Sequence, residues 1–172
     1  MAQITGFDRS LYYDDLNVGD TYVFQSRTIT EGDVMLFAGL TGDHVQLHTS
    51  RQYAEKSRWG QPIAHGMLTL CISYGLNALT GLFENSVVAS LEQNHIKDLA
   101  PVFFGDSIHN LTTITAKRIC SSKPQFAILE RHTDVINQRD EVVLSYGIVG
   151  GGPSGIVAAY YLAKAGLKVA QF

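Results

Sequence analysis

The stretch that decides the fold is GMLTLCISYGLNALTGLF, residues 66–83. Apolar side chains fall on almost every side of a helix built from it, and a helix that is hydrophobic all round is a buried one. Asn, Ser and Gly interrupt the run, and it is too short to be convincing as a membrane span. We therefore predict that this segment is a helix at the centre of the protein. A free, buried thiol is the expectation for Cys71 within it.

Four segments that follow this helix are rich in β-branched and aromatic residues and partly alternate, as strands do. One strand and short helices precede it, so the order predicts an α+β fold in which an antiparallel sheet wraps around a central buried helix. The strand predicted before the helix is TYVFQSRT (21–28), and those after it are VVASLEQNHI (87–96), SIHNLTTITAKRI (107–119), QFAILERHTDVIN (125–137) and EVVLSYGIV (141–149).

Two short helices are predicted between the first strand and the central helix. Thr30 and Asp33 form a capping-box pattern, and apolar residues continue at helical spacing as far as Gly42. Asp43 is therefore expected just past the end of that helix, in a loop. Ser50 is a candidate N-cap for a second helix over residues 50–57.

The length, composition and net charge of the chain limit the class of protein that it can be. The chain has 172 residues, of which 45% are hydrophobic and 17% charged, with a formal net charge of −3. This is the profile of one globular domain, or of one domain plus an appendage. The charge gives no reason to expect nucleic acid or an anionic membrane as a partner. No signal peptide is apparent at the N-terminus, so a cytoplasmic location is the default expectation.

The segment LTGDHVQLHTS (40–50) concentrates groups suited to proton transfer. Asp43 and His48 are five residues apart, with His44 beside the aspartate. A carboxylate and an imidazole on one loop can hold a water between them, because an imidazole titrates near neutrality. A solvated polar loop is a second interpretation. A metal site of Asp43, His44 and His48 is a third, but Gly42 and the following loop argue against a helix there, so no metal is expected.

The same residues resemble the signature of a known family. FAGLTGDHVQLHTS (37–50) followed by GQPIAHGMLTL (60–70) is similar to the signature of MaoC-like hydratases, the (R)-specific enoyl-CoA hydratase group of the hotdog superfamily. LAPVFFGDSI (99–108) and KRICSSKP (117–124) resemble later landmarks of that family. The resemblance implies a hotdog domain over residues 1–149 and a protein that pairs into a homodimer or an assembly of dimers.

The resemblance also implies the chemistry. Asp43 and His48 would be catalytic, and the reaction would be the reversible hydration of a trans-2-enoyl-CoA to an (R)-3-hydroxyacyl-CoA. The backbone N–H of Gly66 would polarise the thioester carbonyl, since the free amides and dipole of a helix N-terminus favour negative charge. His65 and Met67, on either side of Gly66, are expected at the substrate, His65 as a structural neighbour and not as a catalyst. No cofactor is expected.

Two positions depart from the family pattern G-D-x-N-P-x-H. Val45 stands at the asparagine position and Gln46 at the proline position. The loop therefore lacks one polar side chain and one rigid φ angle, and both changes could loosen the approach of His48 to Asp43. Two alternatives to hydration stay open: a hotdog thioesterase that activates water against the thioester carbonyl, and a catalytically silent acyl-CoA-binding subunit.

The last residues, GIVGGGPSGIVAAYYLAKAGLKVAQF (147–172), raise a separate question. Gly150, Gly152 and Gly155 make G-x-G-x-x-G after a strand-like segment and before a helix-like one, which is the local context of a dinucleotide fingerprint. This tail resembles the first strand-loop-helix unit of FAD-dependent oxidoreductases, and a flavin or nicotinamide module is thus a third class of function. We predict instead that residues 150–172 are a truncated appendage, whose first residues complete the last hotdog strand and whose residues 153–165 form a helix.

Overall fold

The structure, a computed structural model, describes residues 2–3 and 10–153 of the chain. Three short strands come first, four helices follow, and four long strands end the described residues, as the sequence predicts for the helices and the long strands. In chain order the elements are β1 (Ala2–Gln3), β2 (Thr21–Val23), β3 (Arg27–Thr28), α1 (Glu31–Thr41), α2 (Gln46–Thr49), α3 (Arg51–Ala54), α4 (Gly66–Ala78), β4 (Ala89–Asp98), β5 (Ser107–Ile119), β6 (Phe126–Asn137) and β7 (Val142–Pro153), with a 3-10 turn at Tyr13–Asp15. No helix in these two ranges is long and apolar enough to cross a membrane.

The strands form one sheet in the order β1-β2-β5-β6-β7-β4, with β3 also paired to β5. Every pairing is antiparallel except the short one between β1 and β2. The single strand predicted over residues 21–28 is divided in two. Three residues lie between Val23 and Arg27, whereas two lie between their partners Leu111 and Ile108, so one extra residue interrupts the ladder.

Helix α4 packs across this sheet and supplies the middle of the core. Leu68, Ile72 and Leu76 are buried among Val135 and Tyr146 of the sheet. The predicted central helix is confirmed, although it ends at Ala78 instead of continuing to residue 83.

The prediction that the helix is buried on every side is wrong for one of its faces. Met67 is 57% exposed, and Cys71 carries an exposed thiol instead of a buried one. The reason is that the sheet covers α4 from one side, and no second layer of the described chain covers the opposite side.

Four polar side chains meet where α4 crosses the sheet, and we call Ser73, Asn77, Asn110 and Tyr146 the interior cluster. The Ser73 hydroxyl donates to Asn110 Oδ1 at 2.8 Å and lies 2.8 Å from the Tyr146 hydroxyl. Asn77 Nδ2 donates to Tyr146 at 3.1 Å, and Asn110 Nδ2 donates to the Ser73 carbonyl at 2.8 Å and to Asn77 Oδ1 at 3.1 Å. These bonds satisfy the groups and fix the rotation of α4 against β5 and β7.

The caps of the short helices agree with the sequence. The Thr30 side chain accepts a hydrogen bond from the Asp33 amide, and the Asp33 carboxylate accepts one from the Thr30 amide. Gly42 ends α1 in the left-handed region with φ 79°, a conformation that glycine adopts without strain. Ser50 caps α3 as predicted, but α3 is only one turn long.

The landmark LAPVFFGDSI forms a turn that ties two ends of the sheet together. Asp106, which is 4% exposed, accepts hydrogen bonds from the Phe103 amide at 2.9 Å, from Gln138 Nε2 at 2.6 Å and from Arg139 Nη1 at 2.8 Å. Burial alone would raise the pKa of Asp106, but the hydrogen bonds from Arg139 and Gln138 outweigh it and hold the pKa below its usual value. The turn before β5 is thereby fastened to the β6–β7 turn.

Strand β7 continues through the glycines of the tail motif. Gly150 and Gly152 pair with β6, and a Cβ at Gly152 would lie 1.6 Å from the Ser86 carbonyl oxygen. Only glycine therefore allows this close approach. The helix predicted over residues 153–165 lies almost entirely outside the described residues, and the domain boundary at residue 150 stays a prediction.

Candidate active site

Asp43 and His48 reach the site from a short connection that leaves α1. Asp43 follows the Gly42 cap, and its side chain is 45% exposed. His48 is the third residue of α2, so the prediction that the segment after Gly42 is entirely a loop is wrong. The N-cap of α2 is Val45, which has no side-chain group to bond the first amides of the helix.

The hydrogen bond of His48 determines which ring nitrogen is available for chemistry. Its Nδ1 lies 2.8 Å from the carbonyl oxygen of Ile63. A carbonyl oxygen can only accept, so Nδ1 carries the proton and donates it. In the neutral ring, Nε2 is then the basic nitrogen, free to accept a proton from water.

His65 is the residue that holds this corner together. It is 3% exposed, its Nε2 donates to the Asp43 carbonyl oxygen at 3.0 Å, and its ring lies 3.9 Å from that of His48 at an interplanar angle of 31°. Burial lowers the pKa of His65, as does the nearby His48, and this outweighs the opposite effect of the bond to Asp43. These effects favour the neutral form of His65, which contacts both of its neighbours.

We call Asp43, His48 and His65 the acid–imidazole cluster. One ligand atom from each lies within 4.8 Å of the other two, which is a spacing that a metal ion could bridge. Each imidazole, however, already directs one nitrogen at a backbone carbonyl. Asp43 Oδ1 accepts from the Val45 amide at 3.4 Å, and Asp43 Oδ2 lies 3.9 Å from His65 Nε2. Asp43 Oδ2 and His48 Nε2 therefore remain to hold a bound water. His44 is exposed and takes no part in the cluster.

The first residue of α4 lies beside the cluster. His65 is the N-cap of α4 and Gly66 its first helical residue, so the Gly66 N–H has no carbonyl one turn earlier to bond. A Cβ at Gly66 would lie 2.5 Å from Asp98 Oδ1. The carboxylate of Asp98, at the end of β4, therefore packs against the helix N-terminus, where the dipole favours it.

A pocket of about 290 Å³ is lined by His48, Gly66 and Asp98, whereas Asp43 and His65 are not in its wall. The sequence singled out His48 and Gly66 in its wall, but not Arg58, Trp59, Thr69 or Asp98. Arg58 and Trp59 form a cation–π pair at 4.2 Å just before the GQPIAHG segment, which is the only hint of their position. Met67, expected at the substrate, points to the exposed face of α4 and is absent from the described wall of the pocket.

Comparison with known proteins gives the family. Residues 15–136 match the family described as MaoC like domain. The chain belongs to this family. It is 32% identical over 104 residues to the (R)-specific enoyl-CoA hydratase of Rhodospirillum rubrum, covering 60% of this chain and 69% of that protein. It is 31% identical over 107 residues to Protein MaoC of Klebsiella aerogenes, covering 62% of this chain but only 31% of that protein.

Solved structures agree with this membership. The MaoC-like dehydratase from Rhodospirillum rubrum superimposes with a TM-score of 0.77 at 27% identity, covering 84% of this chain and 98% of that one. A Mycobacterium tuberculosis protein with a double hotdog fold gives a TM-score of 0.73 at 21% identity, covering 85% of this chain and 45% of that one. The predicted hotdog fold is confirmed.

The tail of this MaoC-like protein matches a different family. Residues 148–172 match an NAD(P)-binding Rossmann-like domain, and a 47-residue stretch of the chain is 55% identical to thiamine thiazole synthase of Pyrococcus abyssi, covering 27% of this chain and 18% of that protein. A phosphate-binding turn would need Gly150 and Gly152 outside the sheet. Both are instead paired within β7, which does not fit a bound dinucleotide at these two glycines.

Proposed function

We propose that the protein adds water reversibly to a trans-2-enoyl-CoA and yields the (R)-3-hydroxyacyl-CoA. The observation that carries this proposal is the arrangement at the first turn of α4, where His48 shares a pocket with Gly66, the first residue of the helix, and a carboxylate oxygen of Asp43 lies within 4.8 Å of a ring nitrogen of His48. Similarity to an (R)-specific enoyl-CoA hydratase and to a MaoC-like dehydratase supports it.

The proposed chemistry assigns one task to each group. A water held between Asp43 and His48 Nε2 loses a proton to one of them as its oxygen bonds to C3 of the substrate. The C2–C3 π electrons move toward the thioester, whose oxygen gains negative charge. C2 then takes a proton from the acid–imidazole cluster, so that one water is added across the double bond.

The Gly66 amide would stabilise the developing charge on the thioester oxygen. It is the first N–H of α4 and points out of the helix end, where the dipole adds to its effect. Asp98 packs against the same residue. Its carboxylate must turn away, or take up a proton, when an enolate oxygen approaches, because two negative charges would otherwise meet at one amide.

The experiment is to mix crotonyl-CoA with the wild type, Asp43→Asn and His48→Ala, and to follow the loss of enoyl absorbance and the release of free thiol together. We expect rapid loss of absorbance with the wild type only, and no thiol. His44→Ala is the matched control, because it removes an exposed imidazole next to Asp43 and should leave the rate unchanged.

Each other outcome identifies one of the two rivals. Thiol release that depends on Asp43 would indicate a thioesterase. Turnover of neither crotonyl-CoA nor longer enoyl-CoAs, together with tight binding of acyl-CoA, would indicate a silent subunit, which the Val45 and Gln46 departures motivate.

We also propose that two copies pair through β4. This strand lies at the end of the sheet order and pairs only with β7 in the described chain. Its residues are exposed on both faces apart from the half-buried Asn94, and they include Leu91 at 60% and Ile96 at 43%. A long exposed edge with apolar side chains is a surface that proteins cover. Sedimentation of the wild type and of Leu91→Lys should show a dimer and a shift toward monomer, respectively.

A further inference from the structure

Arg131 on β6 has an unusual environment for a charged side chain. Its guanidinium carbon lies 4.7 Å above the ring of Phe83, and within the described residues it makes no hydrogen bond and has no carboxylate within ion-pair distance. Burial lowers the pKa of its guanidinium. Arg131 is half-buried, and a cation partly removed from water is normally paired, so the absence of a partner among the described residues points to a ligand.

Arg131 lines three pockets, and the one of about 250 Å³ also contains Glu130 and His132. The other two share Phe83, Val87 and Arg131, and neither shares a residue with the pocket of His48 and Gly66. The smaller of these two, of about 70 Å³, lies against β6 and β7, and none of the described residues that line it is acidic. The larger, of about 960 Å³, runs along the second half of α4 past Cys71, Tyr74 and Ala78. Its one acidic residue, Glu84, is exposed to solvent.

Each of these two pockets also holds a buried hydroxyl that has no partner in the described chain. The Ser86 hydroxyl, on a residue that is 8% exposed, lies in the smaller pocket. The Tyr74 hydroxyl lies in the larger one. Burial raises the pKa of Tyr74 to about 12, so it remains a phenol able to donate. Buried polar groups without partners are uncommon, and here two of them line the pockets of an unpaired cation.

From this geometry we propose that the two pockets around Arg131 bind a carboxylate carried on a hydrocarbon chain. The guanidinium fork pairs with the carboxylate, with Ser86 or Tyr74 donating to it, and the chain lies in the apolar groove along α4. Two sources carry this chemistry: a free fatty acid anion, or the distal carboxylate of a substrate's own acyl chain. The binding itself does not rest on hydratase activity, and only the second source does.

The test is calorimetric titration of the full chain with decanoate. The wild type should bind one decanoate per chain, Arg131→Met about tenfold more weakly or worse, since a charge-assisted bond is lost, and Arg118→Met like the wild type. Arg118 is an exposed arginine outside all of these pockets. Arg118→Met therefore makes the same Arg-to-Met substitution away from the proposed site. Decanol should bind Arg131→Met as well as it binds the wild type, because it has no charge to lose.

Fluorescence locates the ligand. The chain has a single tryptophan, Trp59, which lines the His48 pocket and not the Arg131 pockets. Its emission should stay unchanged as decanoate binds. Equal affinity of the wild type and Arg131→Met, or quenching of Trp59 in step with binding, would overturn the proposal.

A stability control separates a ligand site from a structural one. Replacing an unpaired, half-buried charge with an apolar side chain of similar length should leave the melting temperature unchanged or raise it. A marked fall, or dissociation of a dimer in Arg131→Met, would show that the protein itself supplies a partner to Arg131, and the proposal would fail. Among enoyl-CoA substrates, a rise in KM confined to those with a distal carboxylate would identify the substrate as the source; no such difference would identify the free anion.

Discussion

The acid–imidazole cluster and the interior cluster both pack against α4, one at its first turn and the other about two turns further on. In the interior cluster every side-chain nitrogen and oxygen of the four residues has a hydrogen-bond partner. Ser73 and Asn110 are fully buried. In the acid–imidazole cluster each imidazole directs one nitrogen at a backbone carbonyl, while Asp43 Oδ2 and His48 Nε2 have no hydrogen-bond partner among the described residues. Matched groups specify structure, and open ones are available for chemistry.

The largest effect on activity is expected when the catalytic groups of the acid–imidazole cluster, Asp43 and His48, are removed. We expect Asp43→Asn and His48→Ala to lower kcat/KM by about 10²–10⁴-fold, the range of general acid–base catalysis. The urea midpoint should change little for Asp43→Asn, because that side chain is nearly half exposed. A large loss of stability with unchanged activity per folded molecule would contradict the division between the two clusters.

Removing a matched group should have the opposite effect. Asn110→Ala deletes three hydrogen bonds and leaves Asn77 Oδ1 buried without a donor. We expect a loss of about 3 kcal/mol in the free energy of unfolding, measured in urea. The rate per folded molecule should be unchanged. Asn17→Ala is the control, since Asn17 is exposed and should change stability by less than about 0.5 kcal/mol.

His65 tests whether one residue can contribute both to stability, as the interior cluster does, and to catalysis. His65→Phe keeps a ring against His48 but loses the donor to the Asp43 carbonyl. We expect kcat to fall about tenfold with little change in KM, because the variant misplaces Asp43 without removing a contact to the substrate. His65→Gln, whose amide can reach the same carbonyl, should recover part of the rate.

The pH dependence of stability gives a second readout for His65. The pKa of His65 is lowered in the folded state. At a pH below about 6.5, the ordinary pKa of histidine, the imidazole therefore binds a proton in the unfolded chain more readily than in the folded one. The stability that His65 contributes is complete above that pH and is lost as the pH falls toward the lowered folded pKa. Asp43, His48 and His44 surround it and are unchanged in His65→Phe. The variant should therefore lose less stability between pH 7 and pH 5 than the wild type does.

The two clusters also differ in how far the sequence predicted them. The central helix, the four long strands and the Thr30 and Ser50 caps follow from local pattern, because periodicity and capping act within a few residues. Asp43, His48 and Gly66 were found through a short motif. Asp98 acquires its position only when β4 and α4 meet, the contacts of His65 with Asp43 and His48 form only when the chain folds, and Asn110 and Tyr146 meet α4 across the sheet. No local pattern encodes such long-range contacts, and the same limit explains the exposed Cys71.

The smallest expected effect concerns the two family positions that this chain lacks. Gln46 is the first residue of α2, where the N–H has no intrahelical partner and proline is tolerated. Val45 before it has φ −54° and ψ 130°, which a residue preceding proline adopts readily. Gln46→Pro should therefore stabilise the fold by about 0.5–1 kcal/mol, chiefly by restricting the unfolded chain, and Val45→Asn should add a side-chain cap to α2.

Gln52→Pro is the matched contrast, because Gln52 follows a helical residue, Arg51, within α3, and proline there disfavours that conformation. It should destabilise the protein under the same urea titration. If His48 is loosened by the missing Asn-Pro pair, kcat should rise several-fold in Val45→Asn/Gln46→Pro while KM stays constant. A gain in stability without any gain in kcat would mean that the bond from His48 to the Ile63 carbonyl and the packing of His65 already fix the imidazole, and that the motif's rigidity is dispensable where a buried neighbour supplies it.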